Sequence, residues 1–128
     1  AAQRLAMQWS VRINEAYQRL KDPLARASYL CELYGAPIQA ENNTAMPSAF
    51  LIQQMTWRES LEDANSLLEL EQLANETHAA QKTQLALIAR TLDHDKDPIK
   101  AAGEVRSLMF IQRFASEVET RIDLLLPS

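Results

Sequence analysis

Helix start signals divide this sequence into segments and leave little room for other secondary structure. Asp22-Pro23 and Asp97-Pro98 each combine an N-cap carboxylate with a proline at the first helical position, where a missing amide hydrogen costs nothing. Ser66 followed by Glu69 is a capping box, which predicts a further helix start. There are only two glycines among 128 residues, and no run of Val, Ile, Thr and aromatic residues predicts a strand. The sequence therefore predicts an all-α fold.

The helical periodicity of the apolar residues predicts two groups of helices. The first group is an αα-hairpin of residues 1–20 and 23–34, which ends at Gly35 because glycine readily adopts the left-handed conformation. The second group is an antiparallel three-helix bundle with short connections. Its helices are predicted at residues 47–64, 67–92 and 98–126.

A segment without any period separates the two groups. It runs from residue 38 to residue 46 and contains Asn42, Asn43 and Thr44, which are typical of a loop. We therefore predict the C-terminal part of a domain at residues 1–37, a linker at 38–46 and a three-helix domain at 47–128. The hairpin alone, at about 35 residues, is too small to be a stable domain.

The helix predicted at 47–64 has two apolar faces. The face suited to a core carries Phe50, Trp57, Leu61 and Ala64. The opposite face carries Leu51, Ile52 and Met55, followed by the acidic residues Glu59, Glu62 and Asp63. Either another part of the chain packs over this second face, or it is an exposed docking surface with an acidic rim. Both explanations stay open at this stage.

The last helix also carries an apolar residue away from its core stripe. The stripe consists of Leu108, Ile111, Phe114, Ala115, Val118, Ile122 and Leu125. Phe110 lies about 100° from the middle of that stripe. Phe110 is therefore a second candidate for an exposed docking surface.

The composition argues against several classes of function. A net charge of −4 without a basic cluster argues against nucleic acid as a ligand, and no apolar run is long enough to span a membrane. Cys31 is the only cysteine, so we expect a buried structural thiol, no disulfide and a reducing cytoplasm. His78 and His94 have no partner at metal-ligand spacing. We predict a protein that is not an enzyme and has no catalytic, cofactor or metal site.

Two stretches of the sequence resemble the HscB family, the J-type co-chaperones of iron–sulfur cluster assembly. Residues 13–30, INEAYQRLKDPLARASYL, are similar to the closing part of a J domain. The more specific match is RASYLCELYG at 26–35, followed by a linker and then AFLIQQMTWRESLED at 49–63. The resemblance covers nearly the whole chain but is only general in the last two helices.

The resemblance implies two partners. In this family the J domain stimulates ATP hydrolysis by a dedicated DnaK-type chaperone, and the C-terminal three-helix domain binds the cluster scaffold protein and delivers it to that chaperone. The family's scaffold-binding positions match the apolar residues Leu51, Ile52, Met55 and Phe110 and the acidic residues Glu59 and Asp63. A third acidic position of the family is Thr56 here, which lowers the expected electrostatic contribution. We expect the four apolar side chains to lie adjacent and open to solvent.

The His-Pro-Asp loop that J proteins need does not occur in these 128 residues. We therefore expect a fragment of a longer protein that keeps scaffold binding and lacks ATPase stimulation. Two alternatives stay open: a helical adaptor for an unrelated protein, and a small mutase-like helical enzyme. The enzyme would need inward-facing arginines, whereas the arginines considered look peripheral: Arg58, Arg90, Arg106 and Arg113.

Overall fold

A computed structural model describes residues 21–39 and 46–126 of the chain. This part contains four helices: α1 (Pro23–Leu33), α2 (Ser48–Asp63), α3 (Leu67–Asp93) and α4 (Pro98–Leu125). It contains no strand, which confirms the all-α prediction for the described residues. None of its helices combines the length and the apolar character needed to span a membrane. The helix predicted at residues 1–20 and the middle of the predicted linker lie outside the described residues.

In three of the four described helices, the predicted N-cap residue forms a hydrogen bond to the first turn. The carboxylates of Asp22 and Asp97 each accept the backbone amide three residues on, at 3.0 Å and 3.1 Å. At the start of α3, Ser66 Oγ accepts the amide of Glu69, and the Glu69 carboxylate accepts the amide of Asn65. These bonds satisfy backbone donors that have no partner within the helix.

The end of α1 is a Schellman motif, with Gly35 at the expected position. Gly35 has a φ of 83°, its amide donates to the Glu32 carbonyl, and the Ala36 amide donates to the Cys31 carbonyl. The helix ends at Leu33, one residue before the predicted end. The left-handed turn directs the chain back onto the bundle, where Ala36 is buried beside Cys31.

The three longer helices form an antiparallel bundle. The start of α3 shares a core with the end of α4, and the end of α3 shares a core with the start of α4, so these two helices run in opposite directions. α2 runs parallel to α4, because Phe50 contacts Phe110 and Trp57, farther along α2, contacts Phe114. The order of directions is the one predicted for an up-down-up bundle.

Two apolar cores lie at opposite ends of the α3–α4 pair. The first core holds α1 and consists of Ala27, Cys31, Ala36, Ile38, Ile88, Leu92, Ala101, Ala102, Val105 and Leu108. The second core holds α2 and consists of Trp57, Leu61, Ala64, Leu70, Leu73, Ile111, Phe114 and Val118. The α3–α4 pair is therefore the common support on which α1 and α2 both pack.

α1 gains from the α3–α4 pair the core that a short hairpin cannot supply by itself. Cys31 is fully buried, as predicted, and burial raises the pKa of its thiol. Ile38, the first residue of the predicted linker, is also buried, and its carbonyl accepts a hydrogen bond from Arg106 Nε at 2.9 Å. The chain is thus held to α4 beyond the end of α1. The division into domains stays a prediction.

The buried surface of α4 differs from the predicted stripe in places. Leu125, which was assigned to the stripe, is 53% exposed. The first turns of α4 are more buried than predicted, with Ala101, Glu104 and Val105 all inside. The reason is that α1 covers this part of α4, so residues outside a single stripe are enclosed there.

Glu104 is a carboxyl group inside the bundle. It is 2% exposed, its Oε2 lies 3.1 Å from Thr91 Oγ1, and its Oε1 has no hydrogen-bond partner. Burial raises the pKa of this carboxyl, against smaller opposing effects of Thr91 and Lys100. Thr91 Oγ1 also lies 2.9 Å from the Leu87 carbonyl, and a hydroxyl has one hydrogen to donate. A protonated Glu104 can donate to Thr91 while Thr91 donates to Leu87, so the geometry suits the neutral acid.

This raised pKa predicts a pH-dependent stability. The folded protein holds a proton on Glu104 that the unfolded chain releases near its ordinary pKa of 4.5, so stability falls as pH rises above that value. Glu104→Gln should therefore stabilise the protein on the order of 1 kcal/mol at pH 7.5 and by less at pH 5, measured by urea unfolding. Glu76→Gln, at an exposed position on α3, is the matched control. An equal effect of Glu104→Gln at both pH values would contradict the assignment.

Candidate protein-docking surface

The outer face of α2 exposes three adjacent apolar side chains. Leu51, Ile52 and Met55 are 46%, 67% and 66% exposed, and we call them the docking patch. On the opposite face, Trp57 and Leu61 are 4% and 6% exposed and belong to the second core. No helix among the described residues covers the docking patch, whereas the helix predicted at residues 1–20 lies outside the described part of the chain.

The docking patch continues into an acidic rim along the same side of α2. Leu51, Met55, Glu59 and Asp63 follow one another at intervals of four residues, so their side chains form one stripe on the helix surface. Glu59 and Asp63 are exposed, as is Glu62 beside them. The stripe thus changes from apolar to acidic toward the C-terminal end of α2.

Thr56 interrupts the acidic character of this surface. Its side chain is exposed, and its Oγ1 donates to the Ile52 carbonyl at 3.2 Å. Ser60 makes the same type of bond to the Thr56 carbonyl at 3.0 Å. Both hydroxyls therefore bond to the backbone of α2, and the position between the docking patch and the rim carries no charge.

Phe110 lies next to α2 but is less open than expected. Its side chain is partly buried and packs against the second core. It meets the ring of Phe50 edge to face, with the ring centroids 5.9 Å apart and the planes at 84°. Phe50 directly precedes Leu51, so Phe110 reaches the N-terminal half of α2, where the docking patch begins.

The second core fixes which face of α2 points outward. Trp57 stacks on Phe114 with the centroids 5.6 Å apart and the planes at 9°. The guanidinium carbon of Arg58 lies 5.3 Å from the centroid of Phe114, and the Arg58 side chain pairs with Glu117 at 2.5 Å. Arg58 therefore attaches α2 to α4 through both Phe114 and Glu117.

The C-terminal end of α2 is held by a residue that the sequence reasoning missed. Arg121, on α4, donates from Nη1 to the Leu61 carbonyl and from Nη2 to the Ala64 carbonyl, both at 3.2 Å. The last turn of α2 contains no basic residue of its own. That absence is the only local signal that a cation from elsewhere is needed at this helix end.

A comparison with known families decides what kind of domain carries this surface. Residues 46–119 match the family described as the HSCB C-terminal oligomerisation domain. The chain belongs to the HscB family. All the candidate docking residues lie within the matched range, from Leu51 on α2 to Phe110 on α4. Arg121 lies just beyond it.

Comparisons that cover nearly the whole chain agree with the HscB assignment. The co-chaperone protein HscB homolog of Burkholderia thailandensis is 48% identical over 128 residues, which cover 98% of this chain and 73% of the relative. The HscB homolog of Paraburkholderia xenovorans is 50% identical over 129 residues, with the same shares covered. The matched region therefore includes α1 as well as the three-helix bundle, which confirms the resemblance seen in the sequence.

Proposed function

We propose that this chain acts as a co-chaperone in iron–sulfur cluster assembly, and that it does so by binding the cluster scaffold protein. Membership of the HscB family supports the co-chaperone role. The observation that carries the binding proposal is the docking patch: three large apolar side chains that the fold leaves exposed beside an acidic rim. Contiguous exposed apolar surface with a polar border is typical of protein-binding sites.

The docking patch supplies the affinity of the proposed complex. Burying Leu51, Ile52 and Met55 against an apolar surface should contribute on the order of 1–3 kcal/mol for each side chain. Phe110 contributes the part of its ring that the second core leaves exposed. Because the rest of its ring already packs inside the protein, Phe110 is pre-organised and loses little side-chain entropy on binding.

The acidic rim supplies orientation and rate more than affinity. Glu59, Glu62 and Asp63 lie in the C-terminal half of α2, where negative charge opposes the helix dipole. Their position therefore does not help the helix to fold, and a role toward a partner is a better account of it. We expect the matching surface of the scaffold protein to be apolar with basic residues around it.

The second proposed partner is a dedicated DnaK-type chaperone, to which the scaffold protein is delivered. Stimulation of its ATPase requires the His-Pro-Asp loop of a J domain, and these 128 residues contain no such loop. We propose that this chain alone binds the scaffold protein without stimulating the ATPase. α1 packs on α4, and through it the J-domain part of the protein would be held to the scaffold-binding part.

Removing the docking patch should weaken the complex without unfolding the protein. The combined variant Leu51→Ala, Ile52→Ala, Met55→Ala should bind the cognate scaffold protein at least about tenfold more weakly, measured by isothermal titration calorimetry. Its thermal midpoint should stay close to that of the unaltered chain, because these side chains are exposed. Leu68→Ala, at a residue of α3 that is 64% exposed, is the control and should bind normally. A large fall in the thermal midpoint would mark the patch as core instead.

Placing a negative charge at position 56, where the family resemblance leads us to expect an acidic residue and this chain has Thr56, should strengthen the complex. Thr56→Glu would add a carboxylate between Met55 and Glu59, and it should raise the affinity by a few-fold at low salt, mainly through faster association. The gain should disappear in high salt, as surface plasmon resonance at two ionic strengths would show. Thr83→Glu places the same charge on an exposed position of α3. An equal gain from Thr83→Glu would show that only the net charge matters.

A further inference from the structure

The docking surface is divided between two helices. The docking patch and the acidic rim belong to α2, whereas Phe110 belongs to α4. A partner that contacts both helices binds well only when the two helices have the right relative position. Any contact that fixes α2 on α4 therefore also affects the affinity for that partner. The N-terminal half of α2 has such a contact in the Phe50–Phe110 ring pair.

Negative charge accumulates at the C-terminal end of α2. The last carbonyl groups of a helix have no partner within it, and they form the negative end of the helix dipole. α2 adds Glu62 and Asp63 in its last turn and no basic residue. Like charges therefore accumulate at this end, and nothing in the last turn of α2 itself compensates them.

Arg121, on the neighbouring helix α4, places a positive charge against the C-terminal end of α2. Its side chain is partly buried between α4 and the end of α2, and its two terminal nitrogens donate separately to the carbonyls of Leu61 and Ala64. Leu61 and Ala64 are themselves buried in the second core, so the guanidinium binds a part of the backbone that packing already holds close. The planar fork of an arginine spans two carbonyl groups, which a lysine ammonium cannot do with the same rigidity.

We propose that Arg121 is a positioning residue for the docking surface: it fixes the C-terminal end of α2 on α4 and so sets the docking patch and the acidic rim relative to Phe110. This inference rests on the proposed scaffold binding. Arg121 adds a C-terminal attachment to those that Phe50, Trp57 and Arg58 already make between α2 and α4. An attachment at the C-terminal end limits the tilt and rotation of that half of the helix, and these decide where Met55 and Glu59 point relative to Phe110.

Affinity measurements test the inference first. Arg121→Gln should weaken binding of the cognate scaffold protein by about tenfold, and Arg121→Lys should fall between Gln and the unaltered chain. The matched control is Arg113→Gln, which removes an exposed arginine from the same helix and changes the net charge equally. No loss with Arg121→Gln, or the same loss with Arg113→Gln, would overturn the inference.

A double-mutant cycle separates positioning from a general loss of stability. When Phe110 is already replaced by Ala, the position of α2 relative to Phe110 no longer matters, so Arg121→Gln should then cost at most about twofold. An equal loss with and without Phe110 would show that Arg121 acts through stability or overall charge, and would overturn a positioning role. Thermal midpoints of all four proteins establish that each is folded at the temperature of the titration.

A distance measurement tests Arg121 without any partner. Spin labels at Glu62→Cys on α2 and Arg113→Cys on α4 occupy exposed positions, and the buried Cys31 is inaccessible to the label. The unaltered Arg121 should give one narrow distance distribution by pulsed electron resonance, and Arg121→Gln should broaden or shift it. An unchanged distribution would overturn the inference. If the unaltered chain fails to bind the scaffold protein, the proposed function is wrong, and this measurement still decides the role of Arg121 in fixing α2.

Discussion

The stack of Trp57 on Phe114 is the contact on which the candidate site depends. Phe114 is 1% exposed and lies at the centre of the second core, and α2 meets it with both Trp57 and Arg58. An aromatic pair of this kind contributes large buried area and a defined ring geometry. Because Trp57 must face inward to make the stack, the side chains on the other side of α2 must face outward. The exposure of the docking patch is thus a consequence of the core.

The α3–α4 pair connects this end of the molecule with the end that carries α1. α1 packs on the first turns of α4, and Arg106 on α4 bonds the chain at Ile38, whereas Phe110 and Arg121 lie farther along the same helix. A continuous helix links the two cores over this distance. In a co-chaperone that must hold one protein and present it to another, such a rigid connection would keep the two binding parts at a fixed separation. Burial raises the pKa of Glu104 at this end of the molecule, so we expect the pH dependence of stability to arise there.

The sequence predicted the helices, their caps and the exposed face of α2 because all of these depend on neighbouring residues. Asp22, Ser66 and Asp97 bond to amides three residues away, and the opposition of Trp57 to Met55 follows from the helical period alone. Glu104 and Arg121 could not be found in that way, since a periodic reading places charged residues on the surface. Their surroundings come from distant parts of the chain: Arg121 bonds to carbonyls 57 and 60 residues earlier. The partial burial of Phe110 was missed for the same reason, because Phe50 lies on another helix.

The central claim is that the outer face of α2, together with Phe110, is where the scaffold protein binds. Methyl-detected nuclear magnetic resonance with cross-saturation from an unlabelled scaffold protein tests it most directly. We predict that saturation reaches the methyl groups of Leu51, Ile52 and Met55 and spares those of Leu68, which is 64% exposed on α3. Saturation that misses these three residues and appears on the groove between α3 and α4, around Ala74 and Ala115, would contradict it.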